Sequence, residues 1–97
     1  MIISAEDELQ ADKILTALLK KRIVIGGLVV KAPAKFWWKG KVLKMDYLNI
    51  QTFTLSKHKA AVICEVRKYT AEEVPMVAFF PLEANIEFFQ WISKTLK

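Results

Sequence analysis

The stretch Met1–Val30 reads MIISAEDELQADKILTALLKKRIVIGGLVV, and it predicts a short strand at Met1–Ser4, an amphipathic helix and a second strand. Ser4 and Asp7 have the spacing of a capping box, so we expect the helix at Ala5–Lys21. Acidic residues in its first turn and lysines in its last oppose the helix macrodipole. Apolar residues recur on one face at i, i+3, i+4, i+7 and i+8, namely Ala11, Ile14, Leu15, Leu18 and Leu19.

The segment after this helix predicts extended structure. Ile23–Lys31 is rich in β-branched residues, and Gly26–Gly27 marks a bulge or a place where another backbone comes close. Lys35–Trp38 and Tyr47–Leu55 are also typical of strands. Because Lys39–Gly40 can turn the chain, the two segments predict a hairpin or a long bent ribbon.

The remaining segment adds two helices and a strand. Ser56 is predicted to cap a helix through about Lys68, and Met76–Phe80 is predicted to be a strand. Asn85 is expected to cap a third helix. The residues expected to face inward are Ala60, Ile63 and Val66 in the second helix and Phe88, Phe89, Ile92 and Leu96 in the third. The order βαββαβ followed by a helix predicts an α+β, ferredoxin-like sandwich with an additional C-terminal helix.

Composition predicts a single domain, Met1–Lys97, that meets further copies of itself. Apolar residues make up 54% of the chain, which is high for a small domain with little interior, and we expect interface residues at Trp37, Trp38, Phe53 and Phe79. The longest apolar stretch has eight residues, too few to cross a membrane. The N-terminus lacks the basic region of a secretory signal, so a cytoplasmic location is expected.

Two motifs resemble those of the CutA divalent-cation-tolerance family. Phe36–Lys41 (FWWKGK) resembles the family's aromatic-Trp-x-Gly-Lys stretch, and the run from Glu73 through Pro75 and Pro81 to Trp91 resembles its carboxyl-terminal Glu-x-Pro, strand, proline and Trp-bearing helix. The resemblance covers nearly the whole chain. It implies a ferredoxin-like homotrimer, without enzymatic activity, that acts in tolerance of or response to divalent metal ions such as copper.

The chain departs from the family pattern where metal ligands would be expected. Gly26–Gly27 replaces the usual cysteine of the second strand, and Thr70–Glu73 (TAEE) replaces a His-Pro-Tyr-Glu sequence. His58 and Cys64 are the only imidazole and thiol, and their helical spacing turns them apart. Glu72 and Glu73 are therefore the candidate ligands for a divalent cation. No cofactor is required, and a divalent metal ion is the one cofactor left open.

Two other functions stay open. Lys39, Lys41 and Glu73 could bind a small anionic ligand in a cleft between subunits, as in the trimeric PII nucleotide sensors that share this architecture. The aromatic and lysine residues of Lys35–Lys44 could instead form a platform for single-stranded nucleic acid, although the charges are scattered and we do not expect nucleic acid as the partner. No catalytic motif is present, so the sequence predicts a protein that is not an enzyme.

Overall fold

A computed structural model describes residues 1–97, which form a four-stranded sheet with three α-helices. In chain order the elements are β1 (Ile2–Ala5), α1 (Glu8–Lys20), β2 (Gly27–Trp38), β3 (Lys41–Thr52), a 3-10 turn (Ser56–His58), α2 (Lys59–Tyr69), β4 (Val77–Ala78) and α3 (Ile86–Thr95). The strand order is β2-β3-β1-β4, and every neighbouring pair is antiparallel. The predicted ferredoxin-like α+β class with an additional C-terminal helix is therefore confirmed.

Helix α1 begins later than predicted, because Asp7 is its N-cap. The backbone of Asp7 is extended, and its carboxylate accepts a hydrogen bond from the N–H of Gln10 at 2.8 Å. Ser4 belongs to β1, so the predicted capping box was wrong. The predicted apolar face is largely right: Leu19 is exposed and Leu15 half-buried, but Ala11, Ile14 and Leu18 are buried.

The segment between α1 and β2 is buried without being a strand. Ile23, Val24 and Ile25 belong to the core, yet β2 begins only at Gly27, so the predicted strand start at Ile23 was wrong. Gly26 has a φ of +145°, which takes the chain out of the extended conformation. A Cβ atom at Gly27 would lie 2.9 Å from the carbonyl oxygen of Gln51. The predicted close approach of another backbone at these glycines is thereby confirmed.

Strands β2 and β3 form one long hairpin. Their pairing runs without a break from Gly27 opposite Thr52 to Trp38 opposite Lys41. On β3, the residues that pair with β1 are 48–51 alone. We call residues 27–31 and 48–52 the root of the hairpin and residues 32–47 its arm, since the arm has no third strand beside it. The principal-axis extents of the molecule are 44 × 26 × 21 Å.

The second half of the chain is less regular than predicted. Ser56 begins a 3-10 turn and does not cap α2, and β4 has two residues where five were expected. Ala60 and Ile63 are exposed, so only Val66 of the three predicted inward residues is buried. The face of α2 toward the core carries Val62, Glu65 and Val66.

The carboxylate of Glu65, on α2, links α2 to the end of α1. The carboxylate of Glu65 accepts hydrogen bonds from the ammonium groups of Lys21 and Lys68. These hydrogen bonds lower the pKa of Glu65. A buried carboxylate with two cationic partners holds the helix pair together without leaving an unpaired charge.

Two apolar clusters form the interior. The larger lies between the sheet and the helices α1 and α2, and it consists of Ile3, Ala5, Ala11, Ile14, Leu18, Ile23, Val24, Leu48, Ile50, Val62 and Val66. The smaller joins α3 to the end of the sheet remote from the arm, and it consists of Ile25, Ile92 and Leu96 with Phe53, Leu55 and Phe88 beside them. None of the three α-helices is long and apolar enough to cross a membrane.

Candidate functional site

One face of the hairpin arm is almost entirely apolar. Side chains at alternate positions of a strand lie on one face, and antiparallel partners share that face. Because Phe36 pairs with Leu43, both lie on this face, together with every second residue along each strand. The rings of Phe36 and Tyr47 meet edge to face, with centroids 5.6 Å apart. We call the set Ala32, Ala34, Phe36, Trp38, Leu43, Met45 and Tyr47 the apolar face of the arm; Lys41, opposite Trp38, is the one charged residue beside them.

The opposite face of the arm is mixed in character. It carries Pro33, Lys35, Trp37, Val42, Lys44 and Asp46. Lys35 lies directly opposite Lys44, and like charges in this position are destabilising. Trp37 is 75% exposed. An exposed aromatic side chain of this size makes this face a second candidate contact surface.

The tip of the arm lies against the loop before β4. Lys39 and Gly40 both have positive φ, as a two-residue turn between antiparallel strands requires. The Nζ atom of Lys39 lies 3.6 Å from Oε2 of Glu73. The structure thus brings together two of the three predicted ligand-binding residues, and both side chains are mostly exposed. Lys41 makes no ion pair.

Glu72 anchors the loop before β4 to the sheet. The hydroxyl of Ser4 donates to Oε2 of Glu72 at 2.8 Å and accepts from the N–H of Met76 at 2.8 Å. Burial raises the pKa of Glu72, against the opposing effect of the Ser4 hydrogen bond, and the negative charge of Glu6 raises it further. The Glu72 carboxylate is therefore already engaged in a structural hydrogen bond with Ser4.

The predicted metal donors do not converge within one chain. Glu72 is bonded to Ser4, while Glu73 faces Lys39. Cys64 is exposed on α2, and His58 precedes that helix. No three His, Cys, Asp or Glu side chains are grouped so that they could hold a metal ion.

The four predicted interface residues fall into two places. Trp37 and Trp38 lie on the arm, on opposite faces. Phe53 and Phe79 are half-buried at the far end of the sheet, where Phe53 packs edge to face on Phe88 at 5.1 Å. Both line a pocket there rather than continuing the surface of the arm.

Sequence reasoning missed the residues that complete the arm. Leu43, Met45 and Tyr47 were not singled out, although they alternate with polar residues after Gly40. Folding the sequence about Lys39–Gly40 would have placed them beside Phe36, Ala34 and Ala32. Ser4 was also missed, because the capping interpretation gave its hydroxyl another partner.

A match to a known family covers almost the whole sequence. The family model described as CutA1 divalent ion tolerance protein matches residues 1–95. The chain belongs to the CutA1 family. The family description names ion tolerance and no catalysed reaction.

Individual relatives agree with this membership. The divalent-cation tolerance protein CutA of Archaeoglobus fulgidus is 27% identical over 96 residues, which covers 98% of this chain and 94% of that protein. A solved structure of CutA from the same organism superposes with a TM-score of 0.93, at 27% identity, over 99% of this chain and 95% of that one. The Cut A1 protein of Thermus thermophilus gives a TM-score of 0.92 at 21% identity, over 99% and 95% of the two chains, which supports the fold alone.

The comparisons also correct one prediction. The Archaeoglobus fulgidus structure is that of a protein described as periplasmic. The cytoplasmic location expected for this CutA1 chain was therefore wrong: the lack of a basic N-terminal region does not establish the compartment in which a protein works.

Proposed function

We propose that this CutA1 chain acts as a non-enzymatic homotrimer in tolerance of or response to divalent metal ions, copper among them. The observation that carries the proposal is the apolar face of the arm. On that face Leu43 and Met45 are exposed in the single chain, and a trimer is the assembly that the resemblance to CutA proteins implies.

The assembly is tested by light scattering at low protein concentration. We expect the wild-type mass to be three times 11.1 kDa. Phe36→Asp places a charge on the apolar face and should raise the dissociation constant at least about 100-fold, equivalent to ~3 kcal/mol. Lys35→Asp introduces the same side chain on the mixed face at the adjacent position, and it should leave the mass unchanged. A monomeric wild type, or equal effects of the two variants, would contradict the proposal.

For the metal role, Glu73 is the donor that we assign first. Its carboxylate is mostly exposed and held only by a surface ion pair, whereas Glu72 is engaged by Ser4. Donors from several subunits could then complete a site that one chain lacks. Equilibrium dialysis with Cu²⁺ and with Mg²⁺ should show binding by the trimer that Glu73→Gln weakens. Glu87→Gln, at the start of α3, removes an equal charge and serves as the control. Binding that survives both substitutions would exclude Glu73 as a ligand.

The contact between Lys39 and Glu73 favours a second candidate function. Two charged residues of the predicted cleft lie together at the end of a projecting arm, where a subunit interface would enclose them with Lys41. Such a cleft would bind a small anion, a nucleotide included, as in PII-like sensors. Saturable nucleotide binding without metal, lost on Lys41→Gln, would favour this function over metal response. If the protein bound no nucleotide, this second candidate function would be excluded.

A further inference from the structure

A half-open pocket lies at the end of the sheet remote from the arm. Its volume is about 480 Å³, within the range of small-molecule sites. Residues 53–56 after β3, the start of α2, the segment 79–82 and one face of α3 surround it, together with Met1. None of the arm residues lines it.

The walls of the pocket are mostly aromatic and aliphatic, with the hydroxyl residues Thr54, Ser56 and Ser93 among them. Phe53, Phe79, Phe80 and Phe89 line it, and α3 adds Ile92. Phe80 is 60% exposed, and Phe89 also remains accessible. Four aromatic rings about one concave space would bind a flat apolar body, since edge and face contacts between rings add to the burial of area.

One charged side chain lines the pocket. It is that of Lys59, and no carboxylate side chain accompanies it. The ammonium group lies 5.6 Å from the centre of the Phe79 ring, and it makes no ion pair. Because Lys59 is also the first residue of α2, the positive end of the helix dipole adds to its charge. An anion here would be attracted by the ammonium group of Lys59 and by the helix dipole. No carboxylate side chain that lines the pocket would repel it.

We propose that this pocket binds a small aromatic monocarboxylate, with its ring among the phenylalanines and its carboxylate on Lys59. The apolar part of the walls complements the ring of such an acid, and the single unpaired cationic side chain complements its carboxylate. The site is separate from the metal-related residues, because Glu72 and Glu73 lie beside Ser4 and the arm tip.

The test uses 2-naphthoate as the probe and 2-naphthalenemethanol as its neutral counterpart. Binding to the full-length wild-type protein is followed by isothermal titration calorimetry. Wild-type protein should bind the acid more tightly than the alcohol by about 5-fold or more, equivalent to ~1 kcal/mol. Lys59→Gln should abolish that difference without weakening the alcohol. Lys13→Gln, an exposed lysine on α1, removes the same charge and should change nothing.

A second pair of variants tests the location of the probe. Ser93→Leu fills the mouth of the pocket from the exposed side of α3, and leucine preserves the helix. It should weaken both probes by about 5-fold or more, as expected when roughly 1 kcal/mol of contact is lost. Gln90→Leu adds the same side chain outside the pocket and should leave both affinities unchanged.

Three results would overturn the proposal. The first is equal binding of the acid and the alcohol by the wild type. The second is equal effects of Ser93→Leu and Gln90→Leu. The third is binding by Phe36→Asp protein but not by the wild-type assembly, because a second copy would then occupy the pocket.

Discussion

The buried apolar side chains of the root lie on one face of the β2–β3 hairpin, whereas most apolar side chains of the arm lie on the other. At the root, Leu48 and Ile50 are buried on the face that packs under the helices, while Leu28 and Val30 already lie on the opposite face. Beyond Lys31 the helix-side face becomes mixed, with Lys35 and Lys44 on it, and the apolar residues lie mostly on the opposite face. The change occurs within two strands whose pairing is continuous.

This difference separates two kinds of burial. The β3 part of the root is buried by its own chain, because α1 and α2 lie over Leu48 and Ile50. The arm extends past both helices, and its apolar face continues the sheet surface that the helices leave open. The apolar face of the arm is the surface that the proposed homotrimer would cover.

The largest effect is expected from a substitution at the root. Ile50 is fully buried, and Ile50→Ala should lower the free energy of unfolding by about 2–5 kcal/mol through lost burial and a residual cavity. Urea unfolding measures the loss. Because the contacts of Ile50 lie within one chain, the loss should be the same at every protein concentration.

The matched variant on the arm is Met45→Ala. Met45 is 43% exposed in one chain, so its truncation should act mainly on assembly. Its cost should be smaller, and it should depend on protein concentration, as expected when association is coupled to stability. If both variants responded equally to dilution, the distinction between root and arm would be lost.

A smaller effect is expected from Glu72, which ties the loop before β4 to β1. Burial raises its pKa in the folded state, so the folded protein holds the proton to higher pH than the unfolded chain does. This contribution to stability is fully present below the unfolded pKa, near 4.5, and is lost as the pH rises through the folded pKa. Stability measured by urea unfolding from pH 4 upward should therefore show a decline that Glu72→Gln removes. Glu73→Gln, one position along, should keep the decline.

Much of the fold could be predicted from local patterns. The spacing of Ala11, Ile14 and Leu18 predicted α1, and Lys39–Gly40 predicted the turn of the hairpin. The misassigned positions are those where tertiary contacts override propensity. Ile23 to Ile25 have strand-forming side chains, but they are buried in a loop because Gly26 turns the chain before β2 begins. The sequence allowed Ser4 either to cap α1 or to lie in a strand. It lies in β1, because β1 pairs with β3.

The candidate site was less predictable for a physical reason. The contact between Lys39 and Glu73 joins residues 34 positions apart, and it forms because the tip of the arm lies against the loop before β4. No local pattern carries that information. The face switch of the arm, in contrast, is present in the sequence once the strands are paired about Gly40. The pocket at Lys59 draws on four separate segments and gives no local signal.

The smallest effect concerns the tip of the arm, where an ion pair and a turn could each fix the geometry. Glu73→Gln removes the ion pair alone and should change the free energy of unfolding by less than about 0.5 kcal/mol, because both side chains are exposed. Lys39→Asn removes the same pair but places at a φ of +50° a residue that tolerates this conformation. It should raise the unfolding free energy by a few tenths of a kcal/mol, roughly the cost of a non-glycine residue at positive φ. Urea unfolding of both variants separates the two contributions. A larger loss from Lys39→Asn than from Glu73→Gln would mean that the lysine side chain, and not the turn, holds the tip against the body.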